Sequence, residues 1–193
     1  MKQKFFLIIT LLVIGLSSAS AQVVWGVRVG VSRPTASEAY YSGNNVSTDG
    51  IFGLEIGPVL YYSLKNNFYL NSGLMYSIKT FKEDESSLNF SYFELPINIG
   101  YVIPVGKFNT YFQAGPYFGY NLSANVKDSN TSISIKEYIN SLNAGLGIMY
   151  GINIDRFKIE LGYQFGLAKA ISDNDLFYDT KFNSLFIGVS YVF

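Results

Sequence analysis

Six charged residues lie within otherwise apolar stretches of the chain, and they are the first candidates for chemistry. Three are basic and three are acidic: Arg28, Lys79, Lys158, Glu55, Glu94 and Glu160. Two neighbouring carboxylates, such as those of Glu55 and Glu94, are the groups that acid–base catalysis of glycoside cleavage uses. Equal numbers of the two signs also fit a set of internal ion pairs without a catalytic role. We favour the ion pairs, because the chain lacks the usual catalytic partners.

The composition excludes several classes of enzyme and of binding site. The 193 residues include no His and no Cys, so the commonest general base and the thiolate ligands of zinc are both missing. A serine nucleophile needs an activating base, which leaves no standard triad. The formal net charge of +0 argues against a nucleic-acid partner, since phosphate binding needs a basic surplus. We predict a non-enzymatic protein with no catalytic residue, cofactor or metal.

One acidic segment offers oxygen ligands for calcium. It contains Asp173, Asn174, Asp175 and Asp179, and carboxylate and amide oxygens are the ligands that calcium takes. The segment lacks the glycine and the terminal glutamate of an EF-hand loop. A solvated loop is therefore the simpler interpretation.

The first residues have the three parts of a secretory signal. Two lysines precede an apolar run over residues 5–16, and small residues stand immediately before position 22. This pattern predicts a signal peptide over residues 1–21, with cleavage between Ala21 and Gln22, and a mature domain over residues 22–193. The apolar run would span about 18 Å as a helix, too little for a hydrocarbon core of about 30 Å. A soluble exported protein and a membrane β-barrel are the two options that remain.

Apolar and polar residues alternate with a period of two through the rest of the chain, which indicates strands. We predict eight, over residues 23–33, 50–63, 67–81, 90–103, 109–122, 139–152, 157–168 and 182–193. The connections alternate between tight turns and long polar stretches, and the long ones cover residues 34–49, 82–89, 123–138 and 169–181. An even strand number with short turns on one side and long loops on the other is typical of an outer-membrane barrel whose short turns are periplasmic.

Bulky apolar residues occupy one face of every predicted strand, whereas glycines and charges occupy the other. A soluble sandwich buries its apolar face, but an eight-stranded barrel leaves an interior just wide enough for side chains, so small residues must point inward. The pattern predicts an all-β, eight-stranded, antiparallel up-and-down transmembrane barrel. The six charges then face the lumen, which larger inward residues would help to fill: Tyr61, Tyr69, Met75, Tyr117 and Phe186.

Each predicted strand also carries a large aromatic residue of lipid-facing parity near its short-turn end. These residues are Trp25, Tyr62, Phe68, Tyr101, Phe112, Tyr150, Phe157 and Tyr191. Amphipathic aromatic rings are enriched where lipid headgroups meet the hydrocarbon, so the pattern predicts a girdle. A looser upper girdle would use Phe52, Tyr76, Phe93, Tyr120 and Phe165.

Three segments resemble the PorT-like outer-membrane β-barrel family. They are the stretch from Tyr92 to Tyr101, YFELPINIGY, and the shorter QAGPY from Gln113 and YQFGL from Tyr163. The C-terminal Gly188, Tyr191 and Phe193 are similar to the signal that the barrel-assembly machinery recognises, although Phe186 stands where that signal usually has a polar residue. The resemblance implies a barrel and no catalytic residue. One family member is associated with gliding and type IX secretion, which makes an accessory role in secretion one implied option.

The predicted function follows from the barrel and its loops. We expect a non-enzymatic, integral outer-membrane protein of a Gram-negative bacterium, with both termini periplasmic. Its long extracellular loops would give it a structural or surface-interaction role toward surface or secretion-system proteins, and lipid and the assembly machinery would be its other partners. The alternative is a small pore for small solutes, which the large inward side chains disfavour.

Overall fold

The computed structural model describes residues 23–41, 44–83, 86–128, 131–170 and 180–193. The predicted signal peptide, its cleavage site at Ala21 and Gln22, and the acidic residues from Asp173 to Asp179 lie outside the described residues. Within the described ranges, no helix has the length and hydropathy needed to cross a membrane. In the same ranges no three potential metal-ligating side chains come together.

Eight antiparallel strands close on themselves, which confirms the predicted fold. The elements are β1 (Val23–Tyr41), β2 (Asn44–Ser63), β3 (Phe68–Gly73), β4 (Met75–Glu83), β5 (Ser86–Val105), β6 (Phe108–Asp128), β7 (Thr131–Ser134), a 3-10 helix (Lys136–Tyr138), β8 (Leu142–Ile154), β9 (Phe157–Gly166) and β10 (Lys181–Val192). β3 and β4 together form the third barrel strand, and β7 pairs only with the far end of β6. Pairing of β1 with β10 closes the barrel.

The third barrel strand is interrupted at Leu74 because prolines occupy both neighbouring strands there. The register does not change across the interruption: Val59 pairs with Gly73, and Ile56 pairs with Tyr76. Pro58 on β2 and Pro96 on β5 lack the N–H group that a ladder bond needs. The contacts that remain are the Leu74 N–H bond to the Pro58 carbonyl at 3.1 Å and the bond from the Ser72 hydroxyl to the Pro96 carbonyl at 2.9 Å.

Most of the stretches that we predict as long loops are strands in the structure, so that prediction is wrong in part. β1 and β2 continue to Tyr41 and Asn44, and β4 and β5 continue to Glu83 and Ser86. β6 continues to Asp128 and folds back as β7. We call these continuations of the strands the hairpin extensions. β-bulges interrupt the β1–β2, β2–β4 and β5–β6 registers near their start. Bulges are common at barrel rims, where they redirect a strand.

The outer surface carries two rows of aromatic residues eight positions apart along each of three strands. The lower row joins Phe68, Tyr101, Phe112 and Tyr150 as successive cross-strand pairs, and the upper row joins Tyr76, Phe93 and Tyr120. Eight residues extend about 26 Å along a strand, or about 20 Å along the membrane normal at a tilt of 35–45°. This spacing matches the apolar band of an outer-membrane barrel, about 25 Å tall between its girdles.

The two faces of the strands are as predicted. Exposed apolar side chains cover the outer surface between the girdles, and the large inward residues Tyr61, Tyr69, Met75, Tyr117 and Phe186 are buried. Inward aromatic rings pair across strands with glycines, and a Cβ at any of these glycines would collide with the ring. The pairs are Tyr69 with Gly100, Tyr111 with Gly151, Tyr117 with Gly145, and Phe186 with Gly162. The small inward residues therefore make room for rings that fill the lumen.

Candidate functional site: the barrel lumen

Arg28 lies between two carboxylates at the middle of the lumen. Its Nε is 3.4 Å from Glu55 Oε1, and its Nη1 is 3.5 Å from Glu160 Oε2. The Tyr111 hydroxyl donates a 2.8 Å hydrogen bond to Glu160 Oε1. All four side chains are almost fully buried. Removing charges from water costs several kcal/mol per ion, so such a group is stable only when each charge has close partners.

Two glycines, Gly30 and Gly188, lie on the strands between the two carboxylates that Arg28 contacts. Glu55 pairs with Gly30, Gly30 pairs with Gly188, and Gly188 pairs with Glu160. A Cβ at Gly30 would lie 3.0 Å from Glu55 Oε1, and one at Gly188 would lie 3.8 Å from the Arg28 side chain. Two strands, β1 and β10, thus lie between the two carboxylates, and at this level both strands carry a glycine.

A second ion pair lies closer to the hairpin extensions. Lys79 Nζ donates to Glu94 Oε1 at 2.8 Å, and both side chains are about 2 % exposed. The amide of Gln164 approaches the other carboxylate oxygen at 3.4 Å. The Lys79 ammonium also faces the rings of Tyr92 and Tyr117 at 5.5 and 5.9 Å. The structure therefore brings together five of the six predicted lumen charges as two ionic groups.

Lys158 departs from the predicted ion pairing. Among the described residues no ion pair joins it to a carboxylate. Its ammonium instead faces the rings of three tyrosines, Tyr61 at 4.3 Å, Tyr111 at 4.6 Å and Tyr69 at 5.4 Å. Glu160 is two residues further along the same strand face, about 7 Å away at the backbone, and its oxygens are directed at Arg28 and Tyr111. Lys158 offsets the excess negative charge of the Arg28 group only at longer range.

An apolar cluster closes the lumen at the end of the hairpin extensions. The rings of Phe81, Phe90 and Phe182 pack with centroids 4.9 to 5.8 Å apart. Small and apolar side chains complete the cluster: Ala36, Tyr92, Ala124, Ile139 and Ala170. The chain on either side of β8 and β9 lies over it, where the Asn140 N–H donates to the Ala170 carbonyl at 3.0 Å. We call this group the apolar cap.

The outer face of the β4–β5 extension is polar, so the pattern of these two strands inverts above the upper aromatic row. The Tyr76 hydroxyl of that row meets Ser91 Oγ at 3.4 Å. Above it, Thr80 donates to Asn89 at 2.9 Å, and Asn89 donates to Ser87 at 3.3 Å. Polar outward and apolar inward is the arrangement of a water-soluble sheet. This extension therefore has the polarity of structure outside the hydrocarbon.

A cavity of about 510 Å³ lies at the opposite end of the lumen, beside the short turns. Lys158, Tyr61 and Tyr69 line its inner part, and the turn residues Asn66 and Asn67 lie at its edge. The two turn residues have φ of 59° and 65°, which asparagine adopts more readily than most residues. They form a two-residue hairpin turn that fixes this edge.

The residues that carry the family resemblance build the barrel wall. Tyr92–Tyr101 belongs to β5, where Glu94 faces the lumen and Asn98 donates to Asn71 at 3.3 Å. In the C-terminal strand, Gly188 flanks Arg28, and Tyr191 packs its ring on those of Phe157 and Phe193. Phe186 points inward, and its ring lies 5.7 Å from the Arg28 guanidinium carbon. Recognition of this strand by the assembly machinery stays a prediction.

Comparison with known proteins identifies one matching family and several similar structures. The family described as outer membrane protein beta-barrel domain matches residues 17–172. Among solved structures, neisserial surface protein A (NspA) has a TM-score of 0.56 at 16 % identity, and the match covers 88 % of this chain and 97 % of that one. Ail, the attachment invasion locus protein of Yersinia pestis, has a TM-score of 0.50 at 16 % identity, covering 89 % and 99 %.

A third structure, of the outer-membrane enzyme PagL, has a TM-score of 0.49 at 10 % identity, covering 85 % of this chain and 98 % of that one. Curated proteins contain no match. At identities this low, the NspA and Ail structures show the fold of the present chain and nothing more.

Proposed function

Because the chain belongs to the outer membrane protein beta-barrel domain family, we propose that it is a non-enzymatic barrel of the Gram-negative outer membrane with a surface-interaction role. The observation that carries this proposal is the contrast between a filled lumen and strands that continue past the upper aromatic row. On β5 and β6 these extensions run seven and eight residues beyond Phe93 and Tyr120, about 25 Å at 3.3 Å per residue. A membrane anchor alone has no need of them.

The interior supports a scaffold rather than a pore or an enzyme. Ion pairs, tyrosine rings and the apolar cap occupy successive levels of the lumen. Glu55 and Glu94, the carboxylates considered for acid–base chemistry, are both buried, and each contacts a cation. A carboxylate committed in this way is not presented to a substrate. An interior that is filled by side chains is the usual state of an eight-stranded barrel.

The outward face of the extensions is the proposed interaction surface. It presents hydroxyl and amide groups from Thr80, Ser87 and Asn89, with Lys127 exposed nearby on β6. NspA is by name a surface protein and Ail an attachment protein, which fits a surface role for this chain. A narrower role as an accessory to secretion rests on the PorT-like resemblance of Tyr92–Tyr101.

Cysteine labelling on whole cells tests this proposal, since the chain has no native Cys. Asn89→Cys lies on the extensions, and the matched Lys107→Cys lies in a short turn at the other end. With short turns in the periplasm, an impermeant maleimide should label Asn89→Cys on intact cells and Lys107→Cys only after permeabilisation. A benzophenone attached at position 89 should then crosslink surface or secretion proteins. Labelling in the reverse order, or no crosslinked product, would contradict the surface role.

A further inference from the structure

Lys158 has donors that no described acceptor satisfies. An ammonium group carries three N–H donors and no acceptor, but its described contacts are the faces of three tyrosine rings. The hydroxyl groups of those rings are directed elsewhere: Tyr69 donates to Gln113 at 3.0 Å, Tyr111 to Glu160 at 2.8 Å and Tyr61 to Ser190 at 3.5 Å. The rings therefore hold the cation in place without accepting its hydrogen bonds.

The cavity that Lys158 lines contains a second polar group without a partner. Asn153 lines the same cavity, and its Oδ1 is buried with no hydrogen-bond donor among the described residues. Asn153 is the cross-strand partner of Lys158, so the two groups lie side by side. A buried polar atom that lacks a hydrogen-bond partner costs about 1–3 kcal/mol. Ten such atoms occur among the described residues, and Asn153 Oδ1 is the one whose residue lines this cavity.

The remaining walls combine the apolar side chains of Val24, Val102 and Val192 with the tyrosine rings. Polar residues complete the lining: Ser63, Asn66, Asn67 and Asn109. A volume of about 510 Å³ falls within the range of small-molecule sites, which combine apolar walls with a few placed polar groups. An anion with an apolar or aromatic body satisfies both features, because its charged head accepts from Lys158 while its body covers the walls.

We propose that this cavity is a binding site for a small organic anion, a carboxylate or phosphate on an apolar or aromatic body. Lys158 neutralises the anionic head, and the three tyrosine rings keep the ammonium at the inner end of the cavity. A hydroxyl or amide N–H on the ligand donates to Asn153 Oδ1. The site lies beside the short turns, away from the extensions, so the inference does not depend on the surface role.

Calorimetry on the full mature barrel in zwitterionic lipid nanodiscs tests the site with three probes. Benzoate and benzamide have nearly the same shape, but only benzoate is charged, and only benzamide has an N–H that can reach Asn153 Oδ1; inorganic phosphate has the charge without the body. We expect benzoate to bind more tightly than benzamide, because a charge-assisted hydrogen bond to Lys158 outweighs a neutral one to Asn153. Phosphate should bind more weakly than benzoate, since it covers none of the apolar wall.

Two variants and a control separate this site from a structural role for Lys158. Lys158→Met removes the cation, and Asn153→Asp places a carboxylate opposite Lys158 and so supplies the anion internally. Both should weaken benzoate binding about tenfold or more, whereas Lys107→Met, in an exposed turn at the same end, should bind like the unmodified protein. Heat-modified migration on gels reports whether each variant folds, and Asn153→Asp keeps the test valid where Lys158→Met does not fold.

Four results would overturn the proposal. In the first, benzoate and benzamide bind with equal affinity. In the second, a folded Lys158→Met or Asn153→Asp variant binds benzoate as tightly as the unmodified protein. In the third, phosphate binds but benzoate does not, and in the fourth, neither gives a heat of binding.

Discussion

Replacing Glu94 by Gln should destabilise the barrel strongly, because it leaves the Lys79 ammonium buried without its counter-ion. The two side chains form a 2.8 Å ion pair and are each about 2 % exposed. The rings of Tyr92 and Tyr117 lie farther from that ammonium, with their centres at 5.5 and 5.9 Å. Their faces do not replace a carboxylate. Removing one partner of a buried pair costs about 3–5 kcal/mol.

The double variant Lys79→Met, Glu94→Gln sharpens this prediction. Replacing both members of a buried pair by uncharged groups of similar volume is often neutral or stabilising. The Gln164 amide N–H donates to Glu94 Oε2 at 3.4 Å. After Glu94→Gln, the new amide oxygen at position 94 can still accept this hydrogen bond. We therefore expect the double variant to lie within about 1 kcal/mol of the unmodified protein, although one of its single changes is severe.

Urea titration of the barrel in lipid vesicles measures these differences as free energies of unfolding. The single tryptophan, Trp25, is 53 % exposed on the outer surface, so its fluorescence reports transfer from lipid to water. Glu137→Gln, in the exposed 3-10 helix, is the matched control and should change stability by about 0–1 kcal/mol. A loss of stability in Glu94→Gln no larger than that in Glu137→Gln would contradict a dry, ion-paired interior, and so would a double variant as unstable as the single one.

Three further predictions follow from the lumen and the outer surface. Leu146→Arg places a charge on the lipid face, where Leu146 is 48 % exposed, and should cost about 2–4 kcal/mol in the same titration. Gly145→Ala, one residue away, should instead fail by crowding, because its Cβ meets the Tyr117 ring; tolerance of both changes would contradict the assigned faces. Phe90→Ala in the apolar cap should cost about 3–5 kcal/mol, and a loss below 1 kcal/mol would mean that the cap is loosely packed. The unmodified barrel should show no steady conductance in planar bilayers, and a stable open channel would favour the pore.

Period-two alternation was sufficient to predict the strand number, the two faces and the lumen charges. It worked because each strand is apolar on one side and small or polar on the other between the girdles. The alternation did not predict the hairpin extensions, because its apolar and polar faces exchange sides there, as β4 and β5 show. Phe81, Phe90 and Phe182 share the parity of the lumen charges. Three inward aromatic residues near the long-loop ends of their strands were the sequence signal for the apolar cap.

Which charges pair was beyond the sequence, because pairing depends on the stagger between strands. Glu55 and Glu160 come to opposite sides of Arg28 only through the registers of β2, β1, β10 and β9. The same stagger leaves Lys158 next to Asn153 and three tyrosine rings rather than a carboxylate. Counting equal numbers of each sign predicted overall neutrality of the lumen charges. It did not predict that Lys158 would contact tyrosine rings and not a carboxylate.

The seam between β1 and β10 sets an order of events for assembly. Its paired residues are 144 to 166 positions apart in the chain, whereas every other strand pair joins residues at most 44 positions apart. Closing the longer loop costs only about 1 kcal/mol more in chain entropy. Until it closes, however, both seam strands expose unpaired N–H and C=O groups, which the hydrocarbon does not tolerate. The hairpins are therefore free to form early at the membrane surface, but full insertion must coincide with the meeting of the first and last strands.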